Sequence, residues 1–378
     1  MVYDRSYDSP ASRGYWLSGT ESMDYESYLT LLHRTLDYLD TLFENDKGGI
    51  PLQYQGAEVI RRTLQRVADY HGYPSVRTSF SPLPDHVFFR STEEMQLPAI
   101  ERASYEELTP EERDDARELR QREIGDQSKV VGNSGKTDSL LDNVRRKIQR
   151  IREYKHRLGP VVSNWLRRRL AKPVVSALSK QLYLDTQRSR NVIDSTNYIF
   201  YPLQYFMESR VTMRAPAFYN QLWLIEFLSR SLPPGYELVV KDHPQQLGAL
   251  PLSHTRAISR YANAIDPTIP AREVIVQADA VVTLNNTVGY EAILYGKPVV
   301  SLGDAFYSHA GYTQDVTNIQ TLQSELNRAV QSTGLTDEDV LSFAHGVLDS
   351  SYRGSWGNTC SENVELFVES VESYLETQ

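Results

Sequence analysis

The sequence predicts an α/β protein: its second half is a parallel sheet covered by helices, and its first half is helix-rich with weak strands. Two observations carry this. After Asn191, short apolar runs alternate with helical ones at the regular spacing of βαβ units. The runs are apolar at nearly every position, as in Val239-Val240, Val281-Val282 and Val299-Val300, which is what a sheet covered on both faces requires.

The elements follow in order. Leu29, Leu32, Leu36, Leu39 and Phe43 recur every three or four positions and give a helix from about Asp24 to Gly48-Gly49. A second helix runs from Gly56 to His71, with Gly72 past its end. Ser75–Phe80 and His86–Arg90 read as short strands separated by Pro82 and Pro84. Thr109-Pro110-Glu111-Glu112 is a helix start, with a hydroxyl cap, proline in the first turn and acids where the dipole favours them. A charged, glycine-containing loop is expected at 123–140, then basic helices at 141–157 and 161–185. In the second half, strands are expected at Tyr198–Leu203, Glu237–Lys241, Ala280–Leu284 and Pro298–Leu302. Helices are expected at Ala215–Ser231, Leu252–Ala262, Pro270–Ala278, Val288–Tyr295, Asp337–Val347 and Val364–Leu375. The organisation is therefore 1–190, a helix-rich unit, and 191–378, a Rossmann-like unit with C-terminal helices.

Composition narrows the function. The chain has 378 residues with a formal charge of −9, which argues against a basic nucleic-acid-binding surface. One cysteine, Cys360, leaves no internal disulfide framework and no multi-cysteine metal site. No apolar run approaches the roughly 18–20 residues of a spanning helix, and Met1 to Ser22 has no apolar leader segment. A cytoplasmic protein is expected. The Gly-x-x-x-x-Gly-Lys-Ser/Thr, Gly-x-Gly-x-x-Gly, Gly-x-Ser-x-Gly and His-Glu-x-x-His patterns are all missing from the sequence. A P-loop NTPase, a typical dehydrogenase, an α/β-hydrolase and a zinc peptidase are disfavoured accordingly, and no metal or cofactor is expected.

Ligands of parallel α/β sheets bind beyond the carboxyl ends of the strands, so the strand exits are the places to look. Lys241-Asp242-His243-Pro244 follows Leu238-Val239-Val240. Its Lys and His could meet a phosphate, as point charge and as donor, and the same residues also fit a solvated turn. Thr283-Leu284-Asn285-Asn286-Thr287-Val288-Gly289-Tyr290-Glu291 ends a strand and starts a helix at once. Asn286 or Thr287 would cap that helix, whose free N–H groups suit an anion. Gly289 would let a ligand approach the backbone, and Glu291 could accept from ribose hydroxyls. Simple capping is the competing reading. Gln204, Glu208 and Ser209 after the first strand form a third edge of the same cleft. His309, in a loop further on, fits surface and ligand contact equally. The run Arg145 to Lys172 could lie on an anionic membrane surface at the inner face of the cell membrane, or be a solvated charged face.

Taken as a set, Pro202-Leu203-Gln204, Lys241-Asp242-His243-Pro244, Asn286-Thr287-Val288-Gly289-Tyr290-Glu291-Ala292 and Gly296-Lys297-Pro298-Val299 resemble the capsule polysaccharide biosynthesis family. That family includes the Kdo transferases of the lipid-linked capsule primer, with a "PLQ … KxHP … STxGxEA … GKPV" series. Gln55-Gly56-Ala57-Glu58 looks like its Gly-x-Glu helix start. The resemblance implies a metal-independent glycosyltransferase of the GT-B type, with the nucleotide-sugar in the C-terminal domain and the acceptor on the N-terminal side. His243 and Thr287 would contact the donor phosphate, and Glu291 the ribose. It implies a CMP- or UDP-linked donor, for instance CMP-Kdo, and a glycan or glycolipid acceptor. The catalytic carboxylate would come from the first half, with Glu58 first and Asp85 second. Two departures stand out: Asn285-Asn286 where the family often has Ser, and no apolar strand in 1–24 to open the first domain. The latter makes the N-terminal domain diverged or incomplete, and leaves two alternatives: an inactive GT-B-like scaffold subunit, or a nucleotide-sugar epimerase or hydrolase.

Overall fold

The computed structural model describes residues 25–45, 49–54, 59–92, 94–125, 172–204, 211, 215–243, 246–247 and 252–377. The chain begins with α1 (Tyr25–Asn45), β1 (Leu52–Tyr54) and α2 (Val59–His71), then β2 (Val76–Phe80) and β3 (His86–Arg90). Next come α3 (Pro98–Arg102), α4 (Pro110–Gly125), α5 (Lys172–Lys180) and α6 (Thr186–Ser195). A repeating unit follows: β4 (Tyr198–Pro202), α7 (Gln221–Ser231), β5 (Glu237–Lys241), α8 (Leu252–Ile258), β6 (Asn263–Ile265) and α9 (Ala271–Gln277). It continues with β7 (Ala280–Thr283), α10 (Thr287–Leu294), β8 (Val299–Ser301), β9 (Gln314–Asp315) and α11 (Leu322–Gln331). Last are α12 (Asp337–Asp349), β10 (Ser351–Arg353) and α13 (Ser361–Glu376).

Two sheets result. The larger is six-stranded and wholly parallel, in the order β6-β5-β4-β7-β8-β9. The chain builds outward from β4 through β5 to β6, then crosses back to β7 and builds outward the other way, which is a doubly wound order. Apolar layers lie on both faces. Phe200, Val239, Val281 and Val299 pack with α6, α9, α10 and α12 on one side; Ile199, Tyr201, Val240 and Val282 pack with α7 and α11 on the other. This is why these strands carry no polar alternation.

The smaller sheet is four-stranded and mixed, in the order β1-β2-β3-β10. Its Val76, Val87 and Phe89 face is covered by Tyr374, Phe367 and Val371 of α13. The sequence expectation put everything after residue 191 into one unit. Strand pairing differs: β10 joins β3, and α13 covers the first sheet, so the end of the chain returns to the first half. Ser351-Tyr352-Arg353 has no apolar run to announce it.

The halves share one core. Phe88 of β3 packs against Phe306 with tilted rings, centroids 5.2 Å apart, and Leu83, Leu97, Ile100 and Leu119 join the same apolar cluster as Val281, Ile293 and Phe343. Among the polar links, Gln96 Nε2 donates to Asp304 Oδ1 at 2.7 Å. The α4 helix braces the far end of α10: Arg120 Nε donates to Leu294 O at 3.1 Å and Nη1 to Asp337 Oδ1 at 2.8 Å. A cation at that end complements the helix dipole.

Further differences from expectation are local. The helix expected over 161–185 ends at Lys180 within the described residues, and Asp185 caps a separate α6 by accepting from Arg188 N at 2.8 Å. The helix expected from Ala215 begins at Gln221, capped by Asn220. The basic stretch 145–171 and the glycine-containing part of the charged loop lie outside the described residues.

Candidate functional site

Registers bring the strand ends level. Pro202 pairs with Lys241 and Thr283 with Ser301, while Phe200 pairs with Val281, so β5, β4, β7 and β8 all terminate at one edge. The winding reverses between β4 and β7. The crevice outside that edge is where ligands of such sheets sit, and the sequence-predicted residues at Gln204, Lys241-His243 and Asn286-Glu291 are all on it.

The loop after β7 is shaped by Asn286. Its Oδ1 accepts from Val288 N at 3.0 Å and from Thr283 Oγ1 at 3.0 Å, and its Nδ2 reaches Pro202 O at 3.4 Å. Tyr307 OH donates to its carbonyl at 2.6 Å. The cap therefore both starts α10 and ties it to β4. Thr287, the first residue of the helix, is half-buried beside the crevice, as is Glu291 one turn on. The dipole of α10 places partial positive charge at this end.

Gly289 has a different role from the one expected. It is buried, and a Cβ there would collide with the ring and hydroxyl of Tyr307. The missing side chain seats Tyr307, which in turn holds Asn286; it does not open the backbone to a ligand.

On the other flank, Lys241 ends β5 buried beside the crevice. Burial pulls its ammonium below the usual lysine range, against the pull of Asp242, Glu291 and Asp266, which favour the charge. Glu291 on α10 thus acts on Lys241 on β5, which puts both flanks of the crevice within electrostatic reach. His243 is half-buried, and burial and then Lys241 push its imidazole below the ordinary histidine value. It is predominantly neutral near pH 7, and one ring N–H still donates.

The crevice floor is made of amides. Gln204 N donates to Gln221 Oε1 at 2.8 Å and Gln221 Nε2 returns to Gln204 O at 2.9 Å. Gln204 Nε2 donates to Asn285 Oδ1 at 2.8 Å across the switch point. Gln204 Oε1 is buried and, among the described residues, has no hydrogen-bond partner. Gln221, Gln246, Asp242 and Tyr183 belong to this floor and were not singled out from sequence. Of these only Asp242, directly after β5, sits at a strand exit where the sequence could have pointed to it.

Of the two carboxylates expected from the first half, Asp85 is the described one. Asp85 lies in the turn between β2 and β3 with φ 55°. It accepts from Ser355 Oγ at 2.8 Å and, through its carbonyl, from Gly354 N at 2.8 Å. Those bonds join the turn to the returning C-terminal segment. Glu58, Glu208 and Ser209 lie outside the described residues. His309 has φ 62° and its N–H donates to Asp315 Oδ2 at 3.0 Å, a loop-shaping contact. Among the described residues no group of three or more His, Cys, Asp or Glu could hold a metal ion, and no helix is long and apolar enough to cross a membrane.

Comparison with known proteins adds the following. Residues 141–337 match the family model described as capsule polysaccharide biosynthesis protein, just over half of the chain. Protein FixF of Sinorhizobium fredii is 32% identical over 151 residues, 38% of this chain and 35% of FixF. Capsule polysaccharide export protein KpsS of Escherichia coli is 31% identical over 150 residues, 35% of this chain and 38% of KpsS. The chain thus spans little more than a third of these relatives. Among solved structures, the Thermosulfurimonas dismutans KpsC β-Kdo 2,7 transferase aligns over 90% of this chain and 94% of its own, with a TM-score of 0.44 and 13% identity. The S. aureus MnaA–UDP structure aligns over 88% and 80%, with a TM-score of 0.30 and 10% identity.

Proposed function

This chain belongs to the capsule polysaccharide biosynthesis protein family, and from that premise we propose that it is a glycosyltransferase taking a sugar from a nucleotide donor to a glycan or glycolipid acceptor. One observation supports this above the others: Lys241 and His243 on one flank, and the capped amino end of α10 on the other, stand at the same sheet edge astride the switch point. That pairing suits the phosphate of a nucleotide. Glu291, one turn into α10, would accept from the ribose hydroxyls.

The chemistry follows from the charges. As the bond between the anomeric carbon and the phosphate oxygen breaks, the electron pair leaves with the nucleotide and negative charge grows on its phosphate. Lys241, the His243 N–H and the α10 dipole offset that charge without moving, which is where preorganised groups lower a barrier most. The acceptor hydroxyl attacks the anomeric carbon and gives its proton to a base. Glu58 is our first assignment for that base and Asp85 the second, the latter already engaged by Ser355. Protein cations and the dipole serve in this scheme, with no metal assigned. The donor class we favour is a CMP-linked acidic sugar, with a UDP-linked one as the alternative, and we place the reaction in the cytoplasm, with the stretch 145–172 against an anionic membrane.

Calorimetry with CMP and UDP tests the site, with His243→Ala as the control. Native binding that the substitution weakens supports it, and equally tight binding in the variant removes it. Mass spectrometry of donor incubated with and without acceptor tests the reaction. Donor consumed with no acceptor present would make the protein a hydrolase or epimerase, and binding without any turnover would make it a scaffold subunit.

A further inference from the structure

Beneath the crevice runs a line of buried side chains outside the proposed phosphate-binding set. Tyr183, between α5 and α6, donates its hydroxyl to Asp242 Oδ2 at 2.7 Å. Asp242 is only 1% exposed, and its Oδ1 accepts the His243 backbone N–H at 2.7 Å and Gln246 Nε2 at 3.1 Å. Gln246 Nε2 also reaches Gln204 O at 3.2 Å, where Gln221 donates as well, and Gln204 passes the line on to Asn285. Hydrogen bonds therefore run unbroken from the segment ahead of α6, under the ends of β5 and β4, to the end of β7.

A carboxylate withdrawn from water is costly, and a well-packed apolar residue often serves folding as well or better. What sets Asp242 apart is the identity of its neighbours. One is the backbone of His243, which bonds to it, and the other is Lys241, the residue before it, whose ammonium is also subject to the charges of Glu291 from α10, Asp266 after β6 and the His243 ring. We propose that Asp242, held by Tyr183 and Gln246, is a positioning residue: it fixes the His243 turn and supplies a counter-charge next to Lys241, without touching the phosphate those two residues receive. The ligand part of this inference rests on the nucleotide reading above.

The test compares native protein, Asp242→Asn and Tyr183→Phe. Calorimetry with CMP and with UDP is run across pH, with circular dichroism confirming the fold. A second readout needs no nucleotide: the pH dependence of Lys241 acetylation by acetic anhydride, quantified by mass spectrometry. Asp242→Asn keeps the volume and loses the charge. It is expected to weaken nucleotide binding about tenfold, the equivalent of ~1.4 kcal/mol. Lys241 should become reactive at lower pH, since the carboxylate favouring the ammonium is gone. Tyr183→Phe should move both in the same direction by a smaller factor, about threefold in affinity. A merely structural role would not move the Lys241 profile in a folded variant. Native affinity together with an unmoved Lys241 profile in a folded Asp242→Asn overturns the proposal and leaves the nucleotide site standing. If the native protein binds neither nucleotide while Asp242→Asn still shifts Lys241, the nucleotide reading fails and the counter-charge role is upheld. Should Asp242→Asn not fold, Tyr183→Phe decides, and no change in either readout overturns the proposal.

Discussion

The two sheets solve the same burial problem by opposite means. In the parallel sheet both faces are filled with Val, Ile, Phe and Tyr from the strands. In the mixed sheet one face carries Gln53, Arg77, Ser79 and Arg90, all buried, with Gln53 opposite Arg77 and Arg77 opposite Arg90. Some of their polar atoms bond to one another and to α2: Arg77 Nε and Ser75 Oγ both donate to Gln65 Oε1, at 2.8 and 2.9 Å, and Arg90 Nη1 donates to Ser79 Oγ at 2.8 Å. Apolar packing announces itself in a sequence. A buried polar face looks like surface until the partners are seen.

The comparison breaks first at Phe88, the ring that joins the sheets. It is fully buried against Phe306, so Phe88→Ala should cost about 3–5 kcal/mol. Because both halves share that core, urea melting followed by probes in each half should shift together. Separate transitions would show that the sheets fold independently.

Acid should sharpen the contrast next. Burial holds His254 of α8 at a pKa of about 4, below its ordinary 6.5. Unfolding lets it take a proton across that interval, so stability is lost as pH falls from 6.5 toward 4, on the order of 2 kcal/mol after allowing for its remaining solvent access. His254→Leu should flatten that part of a stability-against-pH curve, and an unchanged slope would reject the assignment.

Gly289→Ala comes third. The new methyl meets Tyr307, and overpacking of this kind costs about 1–3 kcal/mol. It should also weaken nucleotide binding, since Tyr307 holds Asn286. Full stability in the variant would mean that Tyr307 can move away at no cost.

The smallest effect is expected at α12. Thr336 and Asp339 form a reciprocal cap, with Asp339 N donating to Thr336 Oγ1 at 3.1 Å and Thr336 N to Asp339 Oδ2 at 2.9 Å. Thr336→Ala should cost about 1 kcal/mol with nucleotide affinity unchanged, measured by denaturation and calorimetry.

How much of this was legible follows from the same contrast. Val239-Val240 and Val281-Val282 set the parallel strands, and Asn286 at the strand–helix junction marked the capped start of α10. Hidden were contacts between residues far apart in sequence: β10 returning to β3 through Ser351-Tyr352-Arg353, and the floor joining Tyr183, Asp242, Gln246 and Gln221. Each of those is an ordinary polar residue locally, and its role exists only once the sheet has formed. The role of Gly289 is hidden for a related reason, since its small size is needed by Tyr307, a residue beyond the next strand.

A crystal structure of the protein with CMP, and in parallel with UDP, bears most directly on the site. Our reading requires the phosphate of one of them to lie between the His243 ring and the first turn of α10, in hydrogen-bonding contact with both. A nucleotide seated elsewhere, or contacting only one flank while the other faces solvent, would contradict it.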